Sequence, residues 1–230
     1  MASERIESVT LTPIPSSYQK ELGKNAYIDN IGTQRLEWVV RARSTSGAEG
    51  ISIANRLMRE GTVEKSLAFL KDALLGREVD DLLGIYDGVV TGAGPGMDRW
   101  YRHNGWLSIL AFDLVGKVRG VSAIDLFGGK KHDSVPAYDT TLYFQDFLNP
   151  AKGAQQVGDE AAQAVADGWR ALKLKIGRGG RWMLPEAGMR RDIEVIHSVR
   201  ESVGPDVKIY VDANFGYDNH LDLLDRLIKE

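Results

Sequence analysis

The feature that most constrains the fold is a regular alternation of strand and helix patterns after residue 133. Short apolar runs predict strands, and each run is followed by apolar residues spaced three and four apart, which predict a helix. The predicted strands are 135–141, 171–176 and 208–214, and the predicted helices are 154–167, 189–203 and 221–228. Three successive βα units are typical of a parallel sheet or a barrel.

Residues before 134 show a different pattern. Apolar residues alternate with polar ones in three segments and then recur at helical spacing in two more, which predicts a three-stranded antiparallel meander followed by helices. The predicted strands are 4–14, 36–42 and 49–53, and the predicted helices are 63–74 and 106–118. Thr62 is placed to cap the first helix and Gly76 to end it. The polar stretch 16–32 is predicted to be a long loop.

The composition excludes several classes of protein. The net charge of -3 offers no basic surface for nucleic acid. The absence of cysteine excludes disulfides and thiolate metal sites and fits a reducing compartment. No apolar run approaches the roughly 20 residues of a membrane span. We therefore expect a cytoplasmic protein whose partners include neither nucleic acid nor a membrane. The glycine-rich segment 92–96 matches neither the dinucleotide pattern nor a phosphate loop.

Polar side chains are predicted to meet at the carboxyl ends of two strands. Alternation places Lys173 and Lys175 on one face of the second strand, and Tyr210, Asp212 and Asn214 on one face of the third. In parallel α/β folds, chemistry is placed at this edge of the sheet. Each feature also has a simpler interpretation, because a lysine pair is often solvated and an aspartate before a loop often forms a cap or an Asx turn.

At these residues the chain resembles the mandelate racemase/muconate lactonizing enzyme group of the enolase superfamily. The resemblance is carried by SILAFDLVGKVRGVSAIDLFGGK leading into VPAYDT, by Lys-Leu-Lys, and by VDAN. It implies an α+β capping domain over 1–133 and a (β/α) TIM-type barrel domain from 134. A closed barrel takes about 250 residues. Residues 134–230 therefore leave room for the first three βα units, and we expect a barrel truncated after the third.

The resemblance also implies an activity and roles for particular residues. The family removes the proton α to a carboxylate, and Mg²⁺ holds the enediolate that results. Lys175 matches the base, Lys173 would bind the carboxylate beside it, and Asp212 matches one of three carboxylate ligands of Mg²⁺. Asn214 would position substrate or solvent at the metal, and Thr140 could hydrogen-bond the substrate. The full-length family is expected to form homo-oligomers.

The favoured reaction is dehydration of a small acid sugar, which would make the full-length protein a lyase. Racemisation or epimerisation of a 2-hydroxy acid, the work of an isomerase, remains open. So does a catalytically silent chain that serves as a binding or assembly module, because two expected metal ligands have no match in the sequence.

Two loops supply further candidates from their position alone. After the second barrel strand, Arg178, Arg181 and Trp182 could contact an anionic substrate or a partner subunit, although a merely solvated loop would look the same. In the polar stretch of the cap, Tyr18 and Lys20 are where a lid would select substrate.

Overall fold

The computed structural model describes residues 3–54, 62–83 and 107–230. The chain divides into two compact units, one of Met1–Ser16 with Arg35–Asp133 and the other of Ser17–Gln34 with Ser134–Glu230. The predicted domains place residues 17–34 in the cap, whereas here these residues pack with the second unit. The assignment of capping and barrel domains stays a prediction. The glycine-rich segment 92–96 and Trp106 lie outside the described ranges.

A three-stranded sheet of order β1-β2-β3 contributes to the first unit. Its strands are β1 (Ile6–Leu22), β2 (Gly32–Ser44) and β3 (Glu49–Ile53). Strands β2 and β3 are antiparallel, with Val40 opposite Ser52. The expected long loop at 16–32 was wrong in its first part, because β1 continues to Leu22. The polar side chains from 16 to 21 alternate between half-buried and exposed positions, as a strand requires, although apolar residues are scarce in this stretch.

The helices of the first unit are α1 (Val63–Leu74), α2 (Leu107–Arg119) and α3 (Ala123–Leu126). The predicted cap of α1 is confirmed, because the Thr62 side chain accepts a hydrogen bond from the Lys65 N–H. Helix α2 packs closely on β3, where a Cβ at Gly50 would lie 2.6 Å from the Leu114 Cβ. Most of the apolar residues of α2 are buried, among them Leu110, Leu114 and Val115, whereas Ile109 is 60% exposed.

The second unit contains a parallel sheet of order β4-β5-β6, with a helix after each strand. Its elements are β4 (Asp139–Leu142), α4 (Ala154–Ala166), β5 (Ala171–Lys175), α5 (Pro185–Val203), β6 (Lys208–Asp212) and α6 (Leu221–Lys229). All three predicted βα units are therefore present. The first strand begins later than predicted, since Pro136 cannot donate to a ladder and Val135 is 81% exposed.

The core of the second unit lies between this sheet and its helices. Leu172 and Leu174 of β5 are fully buried against α4 and α5, together with Val157, Ala161, Val195 and Val199. Because side chains alternate across a strand, burying the leucines places the intervening lysines on the opposite face. No helix among the described residues is long and apolar enough to cross a membrane.

Candidate active site

The structure brings Lys173, Lys175 and Asp212 together at the carboxyl edge of the parallel sheet. The register pairs Lys173 with Tyr210 and Lys175 with Asp212, so these side chains share one face. Lys175 Nζ donates a hydrogen bond to Asp212 Oδ2 at 2.8 Å, and Lys173 Nζ lies 3.4 Å from the same oxygen. The Lys175 side chain is only 8% exposed. A solvated lysine pair does not fit this burial.

This contact changes the ionisation of the carboxylate and of one lysine. Burial raises the pKa of Asp212, but hydrogen bonds donated by Lys175 and by the backbone N–H of Asn214 outweigh burial, so the pKa lies below its ordinary value. For Lys173, burial acts to lower the pKa, but its hydrogen bond and attraction to Asp212 prevail, and the pKa is raised. Asp212 is therefore held as the anion and Lys173 as the cation.

Tyrosine rings surround the two ammonium groups. Lys173 Nζ lies 5.2 Å from the centre of the Tyr138 ring, and Lys175 Nζ lies 5.7 Å from that of Tyr143. The rings of Tyr138 and Tyr210 are 5.7 Å apart. Sequence reasoning missed Tyr138 and Tyr143 as site residues. Both tyrosines flank β4 in the sequence, and this position could have indicated that they lie near the site. Alternation along the strand could not assign their face, because the register of β4 is irregular.

Asn214 follows Asp212 on a strained turn. Its backbone N–H donates to Asp212 Oδ1 at 3.1 Å, so Asp212 also forms the Asx turn that its simpler interpretation predicted. Asn214 and Phe215 have φ values of 44° and 67°, a left-handed conformation that non-glycine residues rarely adopt. The Asn214 Oδ1 is buried without a hydrogen-bond partner. Thr140 lies in β4 and is exposed.

The structure corrects the interpretation of Arg178. Its side chain is fully buried, with Nη2 2.6 Å from Asp146 Oδ1 and Nη1 2.6 Å from Asp192 Oδ1. Burial lowers the pKa of the guanidinium, but the hydrogen bonds and charges of both carboxylates outweigh burial and raise it. Because two protein carboxylates already compensate its charge, Arg178 does not meet an anionic substrate.

Arg181 and Trp182 contact residues 24–27 of the same unit. Arg181 Nη1 donates to the Tyr27 carbonyl at 2.6 Å, and Trp182 Nε1 donates to the Asn25 carbonyl at 2.6 Å. The Lys24 ammonium lies 4.2 Å from the Trp182 ring centre. Both side chains therefore anchor the segment that follows β1, and their predicted role in substrate binding stays a prediction.

Tyr18 and Lys20 are not brought to the lysine pair. They line a cavity of about 520 Å³ together with residues of β4, α4 and the turn after α4, among them Asp139, Glu160 and Trp169. Lys20 Nζ lies 2.6 Å from Glu160 Oε2. Asp139 is paired with Leu172, so its side chain lies on the face of the sheet that carries Leu172, which is opposite to the face that carries Lys173. The proposed lid position of Tyr18 and Lys20 therefore lies away from the candidate base.

The donors present do not complete a magnesium site. Mg²⁺ prefers six oxygen ligands in octahedral geometry. Asp212 offers one carboxylate and Asn214 an unpartnered amide oxygen. Among the residues that the structure describes, no group of three or more histidine, aspartate or glutamate side chains could hold a metal ion.

The fold and the site define a class of α/β protein with a lysine pair and an aspartate on neighbouring parallel strands. A family model described as "Enolase C-terminal domain-like" matches residues 156–228. A D-galactarolactone cycloisomerase from Agrobacterium fabrum is 35% identical over 111 residues, which are 48% of this chain and 26% of the relative. An arabinonate dehydratase from Saccharolobus solfataricus is 35% identical over 120 residues, 51% of this chain and 29% of the relative.

Solved structures extend the likeness over the whole chain. A mandelate racemase/muconate lactonizing protein from Geobacillus sp. Y412MC10, complexed with magnesium and tartrate, superposes with a TM-score of 0.74 at 26% identity. The match covers 100% of this chain and 55% of the solved one. Over its whole length the chain is therefore similar to a member of the mandelate racemase/muconate lactonizing enzyme group of the enolase superfamily. It spans about half the length of the solved relative.

Proposed function

We propose that this chain carries the base of an enzyme that removes the proton α to a carboxylate. The observation that carries the proposal is the buried Lys175 ammonium, 2.8 Å from Asp212 at the carboxyl edge of the sheet, with Lys173 beside it. A partly buried cluster of charges in which the pKa of Asp212 is lowered and that of Lys173 is raised, placed at this edge of the sheet, is typical of catalytic sites. The similarity to cycloisomerase and dehydratase sequences supports the same conclusion.

In this proposal Lys175 accepts the α-proton. An ammonium has no lone pair, so Lys175 must be released from its ion pair with Asp212 and be neutral before it can act. Lys173, held as a cation, would bind the substrate carboxylate and orient the α-carbon towards Lys175. The hydroxyls of Tyr138 and Tyr143 would offer hydrogen bonds to the substrate.

The magnesium ion implied by the family would stabilise the negative charge that develops on the substrate carboxylate. We propose Asp212 as one ligand of that ion. The remaining ligands would have to come from residues outside those described here.

Acid-sugar dehydration is the reaction we favour. The face around Lys175 carries tyrosine hydroxyls, amines and the Asn214 amide, which suit a polyhydroxylated anion better than an apolar acid. After proton removal, the β-hydroxyl takes up a proton from solvent and leaves as water, and the resulting enol tautomerises to a 2-keto-3-deoxy acid. Racemisation is the second candidate, supported by the name of the solved relative.

Proton exchange in heavy water tests the proposal. The protein is incubated with Mg²⁺ and with D-arabinonate or D-gluconate, and the products are followed by proton NMR. Dehydration gives a 2-keto-3-deoxy acid with deuterium at C3, whereas racemisation gives deuterium at the α-carbon in both configurations. The Lys175→Met variant is expected to lose about 10²- to 10⁴-fold in rate, because the general base is gone.

Lys208→Met is the matched control, since Lys208 is exposed at the opposite end of the neighbouring strand β6. It is expected to keep the wild-type rate. Full activity of the Lys175→Met variant would refute the assignment of the base. A protein without exchange on acid sugars or on mandelate would favour the catalytically silent binding module instead.

A further inference from the structure

We infer that a buried cluster of Arg178, Asp146 and Asp192 is the positioning unit that holds Lys175 in register with Asp212. The inference rests on the proposed role of Lys175 as a base and adds residues that do not touch the substrate. The cluster joins the carboxyl ends of all three parallel strands, because Asp146 follows β4, Arg178 follows β5, and the cluster is bonded to the turn after β6. Asp192 belongs to α5.

The guanidinium is the centre of this cluster. Arg178 Nε and Nη2 donate to the two oxygens of Asp146 at 3.1 and 2.6 Å, which is a bidentate contact, and Nη1 donates to Asp192 Oδ1 at 2.6 Å. The same Nη1 lies 3.4 Å from the backbone carbonyl of Lys175. The Phe144 ring packs against the guanidinium, 4.2 Å from its carbon. Arg178 is therefore bonded to the backbone of the base itself.

The second oxygen of Asp192 holds the backbone on both sides of the site. Asp192 Oδ2 accepts hydrogen bonds from the Gly177 N–H at 2.7 Å, from the Arg178 N–H at 3.3 Å and from the Tyr217 hydroxyl at 2.7 Å. Burial, followed by the charge of Asp192, raises the pKa of Tyr217. Tyr217 follows β6, so Asp192 links the turn after Lys175 to the turn after Asp212.

These two turns are also in direct backbone contact. A Cβ at Gly177 would lie 2.7 Å from the Ala213 carbonyl oxygen, and a Cβ at Gly216 would lie 2.6 Å from the Gly177 Cα. Neither turn can shift without disturbing the other. Movement of the cluster would thus be transmitted to the contact between Lys175 and Asp212.

The burial of these charged groups indicates that the cluster serves to fix the positions of the groups that it joins. Two carboxylates and one guanidinium leave a net negative charge in a site where Arg178 and Asp192 are both 0% exposed. Replacing buried ion pairs by well-packed apolar residues is often neutral or stabilising, so stability alone does not explain them. A fully hydrogen-bonded network does fix the directions of the groups that it joins.

Two variants test the inference in the full protein. Tyr217→Phe removes one hydrogen bond to Asp192 with little change of volume, and Arg178→Lys removes the bidentate contact. We expect kcat for α-proton exchange with D-arabinonate to fall about 10-fold in Tyr217→Phe and about 100-fold in Arg178→Lys. We expect KM to change by less than about 3-fold in both, because a small displacement of a base acts mainly on the geometry of the reacting atoms. Thermal unfolding checks that each variant is folded.

A second measurement does not depend on activity. Acetic anhydride labels lysines in proportion to their free and accessible amine, and mass spectrometry compares Lys175 with Lys208 in the same molecule. We expect labelling of Lys175 to rise about threefold or more in both variants, since loosened groups open locally more often. The matched control is Arg200→Lys on α5. In the part of the chain that the structure describes, the Arg200 side chain donates hydrogen bonds only to the carbonyls of Gly204 and Val207.

The outcomes separate this inference from the proposed function. Unchanged kcat and unchanged Lys175 labelling in folded Tyr217→Phe and Arg178→Lys proteins would overturn it. An equal change in Arg200→Lys would also overturn it, since the effect would then follow general stability. If the wild type shows no exchange on any acid sugar, the proposed function fails, and labelling alone decides whether the cluster positions Lys175.

Discussion

At the residue scale, Asp212 has two partners that compete for one carboxylate oxygen. Lys175 and Lys173 both contact Oδ2, while Oδ1 accepts from the Asn214 N–H. The side chain of Asp212 is 29% exposed, so solvent weakens these contacts. Their contribution to stability is therefore expected to be modest, although they lower the pKa of Asp212 and so favour its anion.

The pH dependence of stability should reveal this carboxylate. The pKa of Asp212 is lower in the folded protein than in the unfolded chain. Asp212 therefore stabilises the fold at pH values above its unfolded pKa, and this stabilisation is lost as the pH falls through its folded pKa. In metal-free protein, the wild type should therefore lose up to about 1 kcal/mol more than Asp212→Asn between about pH 5 and pH 2. Urea unfolding at a series of pH values measures the difference.

The pKa of Lys173 is raised in the folded protein, so its contribution to stability falls, and does not rise, with increasing pH. Its stabilisation is present below the unfolded pKa and is lost as the pH rises through the folded one.

Asp133→Asn is the control for the Asp212 experiment at low pH, because the Asp133 side chain is 100% exposed. Parallel pH curves for the wild type and Asp212→Asn would show that Asp212 has no such role.

Residue identity predicted that Lys173, Lys175 and Asp212 lie together, but not that Arg178 is buried. Alternation along β5 and β6 is a local property, so the shared face of Lys173 and Lys175 could be derived from neighbours in sequence. The partners of Arg178 are 32 and 14 residues away. An arginine in a glycine-rich loop looks solvated until the packing that encloses it is known.

At the scale of elements, the loop after β5 and the segment after β1 form one anchored structure. The Trp182 indole donates to the carbonyl of Asn25, and its ring lies against the ammonium of Lys24. The Gln145 side chain accepts a hydrogen bond from the N–H of Gly23 at 2.6 Å and donates one to the carbonyl of Glu21 at 2.8 Å. Residues 17–34 therefore belong to the second unit through specific polar contacts.

Removing the indole should release this segment. In Trp182→Ala, we expect tryptic cleavage after Lys24 to accelerate about tenfold, because a loop loses protection when its anchoring contacts are removed. Limited proteolysis followed by mass spectrometry measures the rate. Trp169→Ala is the control, since Trp169 lines the cavity near Lys20 instead. Equal cleavage of the wild type and Trp182→Ala would assign Trp182 to another role, including the substrate contact predicted from sequence.

At the scale of the whole molecule, the residues that the structure describes bring one carboxylate to the candidate metal position, which is too few for a tight metal site. Metal affinity depends on the number and charge of the ligands and on the rigidity of their arrangement. Mg²⁺ should therefore bind this 230-residue chain no more tightly than about 1 mM. Isothermal titration measures this affinity, and Asp212→Asn shows how much of the binding uses Asp212. Tight stoichiometric binding would show that other residues complete the site.

The sequence by itself determined the three βα units, the shared face of the two lysines and the resemblance to the mandelate racemase/muconate lactonizing enzyme group. These follow from periodicity and short motifs, which express local geometry. The tertiary structure alone decided that Arg178 is buried between two aspartates, that Tyr18 and Lys20 line a cavity away from the lysines, and that residues 17–34 pack with the parallel sheet. These are contacts between residues far apart in the chain, and only packing determines which polar groups leave water together.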